Sequence, residues 1–212
     1  MKILMFSWEY PPVSHGGLAR HVQDLSEAMV RQGHSLYIIT QGDNNIPKQE
    51  CLNGVNVIRT NQVKISANNF IGAILHLNYQ LIEEAIKLRD EIGEFDIIHG
   101  HDWLVFWASK VFKHAVIKPL IFTIHATESG RNQGIYNDMQ RYINDVEWYS
   151  AFEAWKVVVC SHYMKNEVKG LFHVPEDKIA VIANGVNPDN YQANVNEEFR
   201  SQYASTAEEL IF

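Results

Sequence analysis

The sequence predicts an α/β fold with a doubly wound, mostly parallel sheet of the Rossmann-like type. Three observations predict it. Short apolar runs bounded by turn residues recur along the chain, as strands buried on both faces do. Amphipathic helical stretches alternate with them, the order that βαβ crossovers require. The polar residues able to do chemistry fall just after the predicted strands, on the rim where open parallel sheets bind ligands.

The elements can be justified in order. "KILMFSW" (2–8) is a continuous apolar run and reads as an inner strand. Leu18, Val22, Leu25 and Met29 then share one helical face, and Gly33 suits the left-handed position that ends a helix. "SLYIIT" (35–40) and "GVNVIRT" (54–60) are the next strands. Phe70, Ile74, Leu77, Leu81 and Ala85 line one side of a helix expected from about Asn68 to Ile92. "FDIIHGHDW" (95–103) reads as strand, turn and helix start, and "PLIFTIHAT" (119–127) repeats the strand-then-histidine pattern. A helix is expected over 135–154, a strand in "WKVVVCS" (155–161), and a short helix over 162–172 capped by Ser161. "DKIAVIANGVNP" (177–188) is a last strand running into a turn. Beyond it, "NEEFRSQYASTAEELIF" (196–212) predicts a polar helix followed by a fresh apolar stretch. The expected division is one domain over 1–205 and the start of a second over 206–212.

Composition narrows the function. With 212 residues, 46% of them hydrophobic, the chain can bury a sizeable core. Eighteen Lys and Arg against 25 Asp and Glu give a net charge of −7, and no dense basic run suggests a nucleic-acid groove or an anionic membrane patch. Cys51 and Cys160 stand far apart without metal-type or paired spacing, which fits a reducing compartment and leaves a single disulfide open. No apolar run approaches the ~18 residues of a membrane span, and "MKILMFSW" lacks the marks of a signal peptide, so a soluble cytoplasmic protein is expected.

The connection from Glu9 to Gly17 takes nine residues where an α/β unit needs about 2–6. Gly16 and Gly17 open the helix and would let backbone amides and the helix dipole meet an anion such as a pyrophosphate. They also read as a flexible turn, because "GGLARH" lacks the third glycine of a dinucleotide fingerprint. In "HGHDW", His99 and His101 share a face of the strand. They read as a metal pair of the hydrolase kind or, more simply, as a core histidine at His99, with His101 and Asp102 further out and Asp102 capping the next helix. His125 ends a strand before a loop that holds Glu128, Gly130 and Arg131; Arg131 reads equally as an anion clamp or a solvated side chain. Asn184-Gly185 is a turn signal. No GxSxG elbow and no activated cysteine offers a nucleophile.

Taken together, "WEYPPxxxGGLARHV", "IIHGHDW", "TIHATESGR" and "ANGV" in this order resemble the N-terminal domain of retaining glycosyltransferases of family 4. This is the GT-B group that includes bacterial glycogen and starch synthases. The resemblance covers nearly the whole chain. It implies one Rossmann-like half of a two-domain enzyme whose other half holds most of a UDP-, ADP- or GDP-linked sugar. It implies that Gly16, Gly17 and Leu18 meet the donor diphosphate and that His101, oriented by Asp102 and Trp103, reaches the transferred sugar. It places Glu9, His15, Trp103, His125, Glu128 and Arg131 toward the acceptor or sugar. No metal and no cofactor is expected, only the donor and a saccharide or other hydroxyl acceptor, and this half alone is expected to be inactive. "SHGGL" departs from the "KTGGL" of glycogen synthases, which points to the wider family of sugar transferases. The readings outside the resemblance are a non-catalytic, flavodoxin-like nucleotide- or sugar-binding module and a histidine-dependent metal hydrolase.

Overall fold

The structure, a computed structural model, describes residues 1–61, 69–186 and 201–203. Its centre is an eight-stranded sheet built from β1 (Lys2–Ser7), β2 (Ser35–Thr40), β3 (Gln49–Leu52), β4 (Val55–Arg59), β5 (Ile97–His101), β6 (Leu120–Ile124), β7 (Lys156–Val159) and β8 (Ile179–Val181). The strand order is β3-β4-β2-β1-β5-β6-β7-β8. Every neighbouring pair is parallel except β3 with β4. The order reverses between β1 and β5, which makes the carboxyl ends of these two strands the expected crevice. Their register sets Ser7 beside His101 and His101 beside Thr123.

Helices α1 (Gly17–Arg31), α2 (Phe70–Ile92), α3 (Phe106–Val116), α4 (Glu128–Asn132), α5 (Asp138–Glu153) and α6 (His162–Phe172) flank the sheet. Alternate residues of each strand go to opposite faces. Ile3, Met5, Leu36, Ile38, Val55 and Val57 pack with Val22 of α1 in one cluster. Leu4, Phe6, Ile39, Ile58 and Ile98 join the larger cluster with α2, α3, α5 and α6. Among the described helices α1 alone serves the smaller cluster, and residues on that side of the later strands, such as Ile121, Val158 and Ala180, remain half-buried.

Asn78, buried in α2, holds the turn after β5 in place. Its Nδ2 donates to the Leu104 carbonyl at 2.7 Å, and its Oδ1 accepts from the Ala108 amide at 2.9 Å. The second bond supplies the cap that Val105, at the N-terminus of α3, has no side-chain oxygen to give. The chain from His101 into α3 is thereby fixed from a neighbouring helix.

Several elements differ from expectation. The sequence reading missed β3, although Asn53-Gly54 is the strongest short hairpin signal. Both residues take positive φ, 49° and 84°, and join β3 to β4 by a two-residue turn. The stretch after His125 is not a loop throughout. Thr127 caps a short helix, accepting from the Gly130 amide at 2.9 Å. The last strand stops at Val181. Both cysteines are free. No described helix is long and apolar enough to cross a membrane. The polar helix and apolar stretch expected over 196–212, and with them the start of a second domain at 206–212, lie outside the described residues apart from 201–203.

Gly100, between the two histidines of β5, sits where a side chain has no room. A Cβ there would stand 2.6 Å from both the Phe122 ring and Ser109 Oγ. Gly100→Ala is therefore expected to destabilise the fold by about 1–3 kcal/mol through overpacking, read as a lowered urea midpoint. A loss within about 0.5 kcal/mol, the usual scatter of surface changes, would show that α3 and β6 yield easily.

Candidate active site

The long connection after β1 is organised by one carboxylate. Glu9 is buried, and its two oxygens accept from the His15 amide and, at 3.1 Å, from the Ala19 amide. The segment is held from below by Arg59, whose guanidinium is buried, pairs with Glu50, and donates to the Pro11 carbonyl at 2.7 Å. Glu9 thus serves as the anion at the N-terminus of α1. Expected on the acceptor side, it borders the cavity described next, yet both of its oxygens are committed to the loop.

Between the two amides that Glu9 takes lie those of Gly16, Gly17 and Leu18. None of the three has a hydrogen-bond acceptor among the described residues. They border a cavity of about 390 Å³ lined also by Trp8, Glu9, His15, Phe70, Asp102, Trp103, Glu128, Arg131 and Met139. Gly16 has extended backbone, φ −171°, and neither glycine has a positive φ. A Cβ on either would meet nothing within 4 Å. Nothing inside the chain therefore demands glycine at these positions, whereas a ligand approaching the backbone would. His15 stacks on Trp8 with ring centroids 4.9 Å apart and forms one wall.

Across the cavity, Asp102 begins the turn that follows β5. Its φ of 66° with ψ of 160° is a conformation that non-glycine residues rarely adopt, at a cost of order 1–3 kcal/mol. Its carboxylate accepts from the Trp103 amide at 2.8 Å, so it caps the turn, and from Arg131 at 3.4 Å. Arg131 also bonds Glu128 at 3.2 Å and lies 3.9 Å from Glu147. One guanidinium thus faces three carboxyl groups. Burial raises the Asp102 carboxyl above its ordinary range, with Arg131 pulling the other way. Burial pushes Glu147 up to about 8, against the Glu128 amide that its two oxygens accept at 2.8 and 3.0 Å. Glu147 therefore carries a proton near neutral pH.

Behind Asp102 lies a group of four imidazoles. His99 bonds Thr123 Oγ1 at 2.8 Å and lies against His101, 4.0 Å between centroids with the rings tilted by 31°. His101 Nδ1 lies 3.4 Å from His125 Nε2. His21, from the second turn of α1, meets His125 edge-on at 4.7 Å. Burial holds all four below the ordinary imidazole range, His99 and His125 at about 3. The rings are neutral at physiological pH; neighbouring imidazoles disfavour the charged form further at His99, His101 and His125, whereas Asn184 and Asp24 oppose burial at His21.

The structure brings Glu9, His15, Gly16, Gly17, Leu18, Asp102, Trp103, Glu128 and Arg131 around one cavity. It sets His101 and His125 behind that cavity. His101 is the last residue of β5 and Asp102 caps the turn after it, as expected, but His101 is no more exposed than His99. β5 continues through it, and its side chain is fully buried. Sequence reading missed Trp8, His21 and Glu147. Glu147 could have been found as a polar residue on the apolar stripe of Ile143, Val146 and Ala151. His21 stands one position before Val22 on α1, and no local pattern marks it.

The chain belongs to glycosyltransferase family 4, whose family model matches residues 15–190. It is 39% identical over 93% of its length to an uncharacterized glycosyltransferase of Methanocaldococcus jannaschii, covering 50% of that protein. It is 33% identical over 88% of its length to a glycogen synthase of Mycobacterium tuberculosis, covering 49%. The chain therefore spans about half the length of these relatives. Its fold matches sucrose-phosphate synthase from Thermosynechococcus elongatus with a TM-score of 0.77 at 18% identity, over 96% of this chain and 53% of that one. It also matches the catalytic domain of starch synthase IV from Arabidopsis thaliana bound to ADP and acarbose, with a TM-score of 0.68 at 17% identity, over 98% of this chain and 60% of that one. The architecture is the α/β, Rossmann-like one found in these GT-B structures.

The Glu147 environment sets a pH dependence. Its folded-state affinity for a proton is raised from 4.5 to about 8, so the folded chain keeps a proton that the unfolded chain loses. Wild-type stability relative to Glu147→Gln is expected to fall as pH rises from about 4.5 toward 8, then to level off. Urea midpoints of both proteins across this range check it; parallel curves would mean that Glu147 is ionised in the fold.

Proposed function

We propose that this chain is the N-terminal half of a retaining hexosyltransferase that moves a sugar from a nucleoside-diphosphate donor to a saccharide or other hydroxyl acceptor. The observation that carries the reading is the row of three amides without internal acceptors, Gly16, Gly17 and Leu18, bordering the cavity at the N-terminus of α1. Breaking the bond to an activated sugar leaves negative charge on the diphosphate and builds positive charge at the anomeric carbon. Fixed N–H donors aimed at the first are worth most in a water-poor site. The ADP bound to the starch synthase IV neighbour is a nucleoside diphosphate, the kind of leaving group proposed here.

Each side chain then has a role. Gly16, Gly17 and Leu18 share the diphosphate charge with cations from the other half of the protein. His101, whose Nε2 has no partner among the described residues, takes a hydroxyl of the transferred sugar, approached from the side of Asp102. A neutral imidazole suits this, since a cation there would oppose charge growing on the sugar. Asp102, held by Arg131 and the Trp103 amide, faces the developing positive charge. Trp103, His15, Glu128 and Arg131 border the acceptor path, with His125 behind them. Retention follows from attack on the face that the diphosphate leaves, with the departing phosphate accepting the acceptor's proton, so no protein nucleophile and no metal is required. The 212 residues alone supply half of the cleft and transfer nothing.

Full-length protein offered UDP-, ADP- and GDP-sugars in turn is expected to release free nucleoside diphosphate from one class when acceptor is present. His101→Ala is expected to lower turnover by about 100-fold or more, the range for a well-placed donor; near-normal turnover would remove His101 from the chemistry. Gly17→Val fills the open space beside the amides and is expected to raise the donor KM by about tenfold, equivalent to ~1.4 kcal/mol. An unchanged KM in that variant would place the diphosphate elsewhere.

A further inference from the structure

The histidine cluster contains more than the proposed transfer uses. His21, His101 and His125 come from three separate elements, the second turn of α1 and the ends of β5 and β6. One ring nitrogen from each lies within 4.8 Å of the others. Two of the nitrogens stand out. His21 Nε2 and His101 Nε2 are buried without a hydrogen-bond partner among the described residues, while Asn184 lies within side-chain hydrogen-bonding reach of the His21 imidazole. His101 is itself fully buried. The Nδ1 of His101 and Nε2 of His125 stand 3.4 Å apart. Two nitrogens bound to one tetrahedral ion at about 2.0–2.1 Å stand about 3.3 Å apart, so this pair already has the spacing of two ligands.

We propose that His21, His101 and His125 form a binding site for a late first-row transition-metal dication, Zn²⁺ foremost. Three neutral imidazoles around an open fourth position are a donor set that such ions favour over Mg²⁺ or Ca²⁺, which prefer oxygen. The "HxH" pair of β5 is not the ligand set, because His99 Nε2 is engaged by Thr123 Oγ1. An entry path exists. His21 lines a separate cavity of about 450 Å³, together with Asp24, which is paired with Arg20, and Arg31. Coordination through His101 Nδ1 fixes the ring proton on Nε2 and removes the lone pair with which Nε2 would accept from a sugar hydroxyl. The bound ion is therefore an inhibitor of transfer and not a cofactor. That second clause rests on the transferase reading; the binding itself does not.

The test uses metal-free full-length protein titrated with Co²⁺ and then with Zn²⁺ in competition with a chromophoric chelator. The expected result is the visible absorption of four-coordinate Co²⁺, displaced by Zn²⁺. His21→Gln and His125→Gln are each expected to weaken Zn²⁺ binding by about 100-fold, at or above the 10–100-fold cost of losing even an outer partner of a ligand. His114→Gln, on the exposed end of α3, is expected to leave it unchanged. Absence of the Co²⁺ bands, or equal affinity in both cluster variants and wild type, would overturn the site. If the variants do not fold, Zn²⁺-soaked crystals of the unaltered protein decide it, because an anomalous peak must lie among these three rings. Binding without inhibition of sugar transfer would keep the site and remove His101 from sugar recognition. Binding by a protein that transfers no sugar would overturn the transferase reading alone.

Discussion

The site depends on a buried carboxylate at the edge of the cavity. By accepting from the amides of His15 and Ala19, Glu9 shapes the connection after β1 into a bracket around the start of α1. A helix begins with four amides that lack intrahelical partners. Glu9 satisfies one of them, the Ala19 amide, together with that of His15 just outside the helix, and so leaves the run between them open toward the cavity. Arg59 supports the arrangement by holding the Pro11 carbonyl, and the sheet supports Arg59 at the end of β4. The loop is long because it must both return a carboxylate beneath the helix and leave a space in front of it.

On the opposite side, the geometry follows from a different economy. β5 and β6 end next to each other, and a buried asparagine and a missing side chain at Gly100 bring α2 and α3 close behind them. The imidazoles are crowded into this corner, and burial keeps them uncharged. Asp102 and Glu147 share one arginine, and burial sorts their protonation, with Glu147 keeping its proton near neutrality. Two kinds of titratable group are thus driven in opposite directions by the same loss of water, which is how enzymes place neutral and charged groups side by side.

Much of this was legible in the sequence. Apolar runs and helical spacing identified seven of the eight strands, because burial on both faces leaves a strong local mark. The missing one, β3, is an edge strand with half its residues exposed, and its signal lay in the Asn53-Gly54 turn. The cavity wall was legible where residues cluster after strands, as with Gly16 and Gly17 or Asp102 and Trp103. His21 and Glu147 were not, since each sits within a helix and acquires its meaning only from what the sheet order brings against it. Glu9 stood in the right loop, but its amide partners could not be read from spacing.

The backbone at Asp102 carries a consequence for how this protein can change over time. A residue with a side chain there stores energy that a glycine would release, so drift toward greater heat tolerance would be drawn to that turn. A glycine would also delete the carboxylate that Arg131 and the Trp103 amide hold in place. Lineages living at high temperature would have to find their robustness elsewhere, in the far helices or the hairpin, while this one position stays expensive.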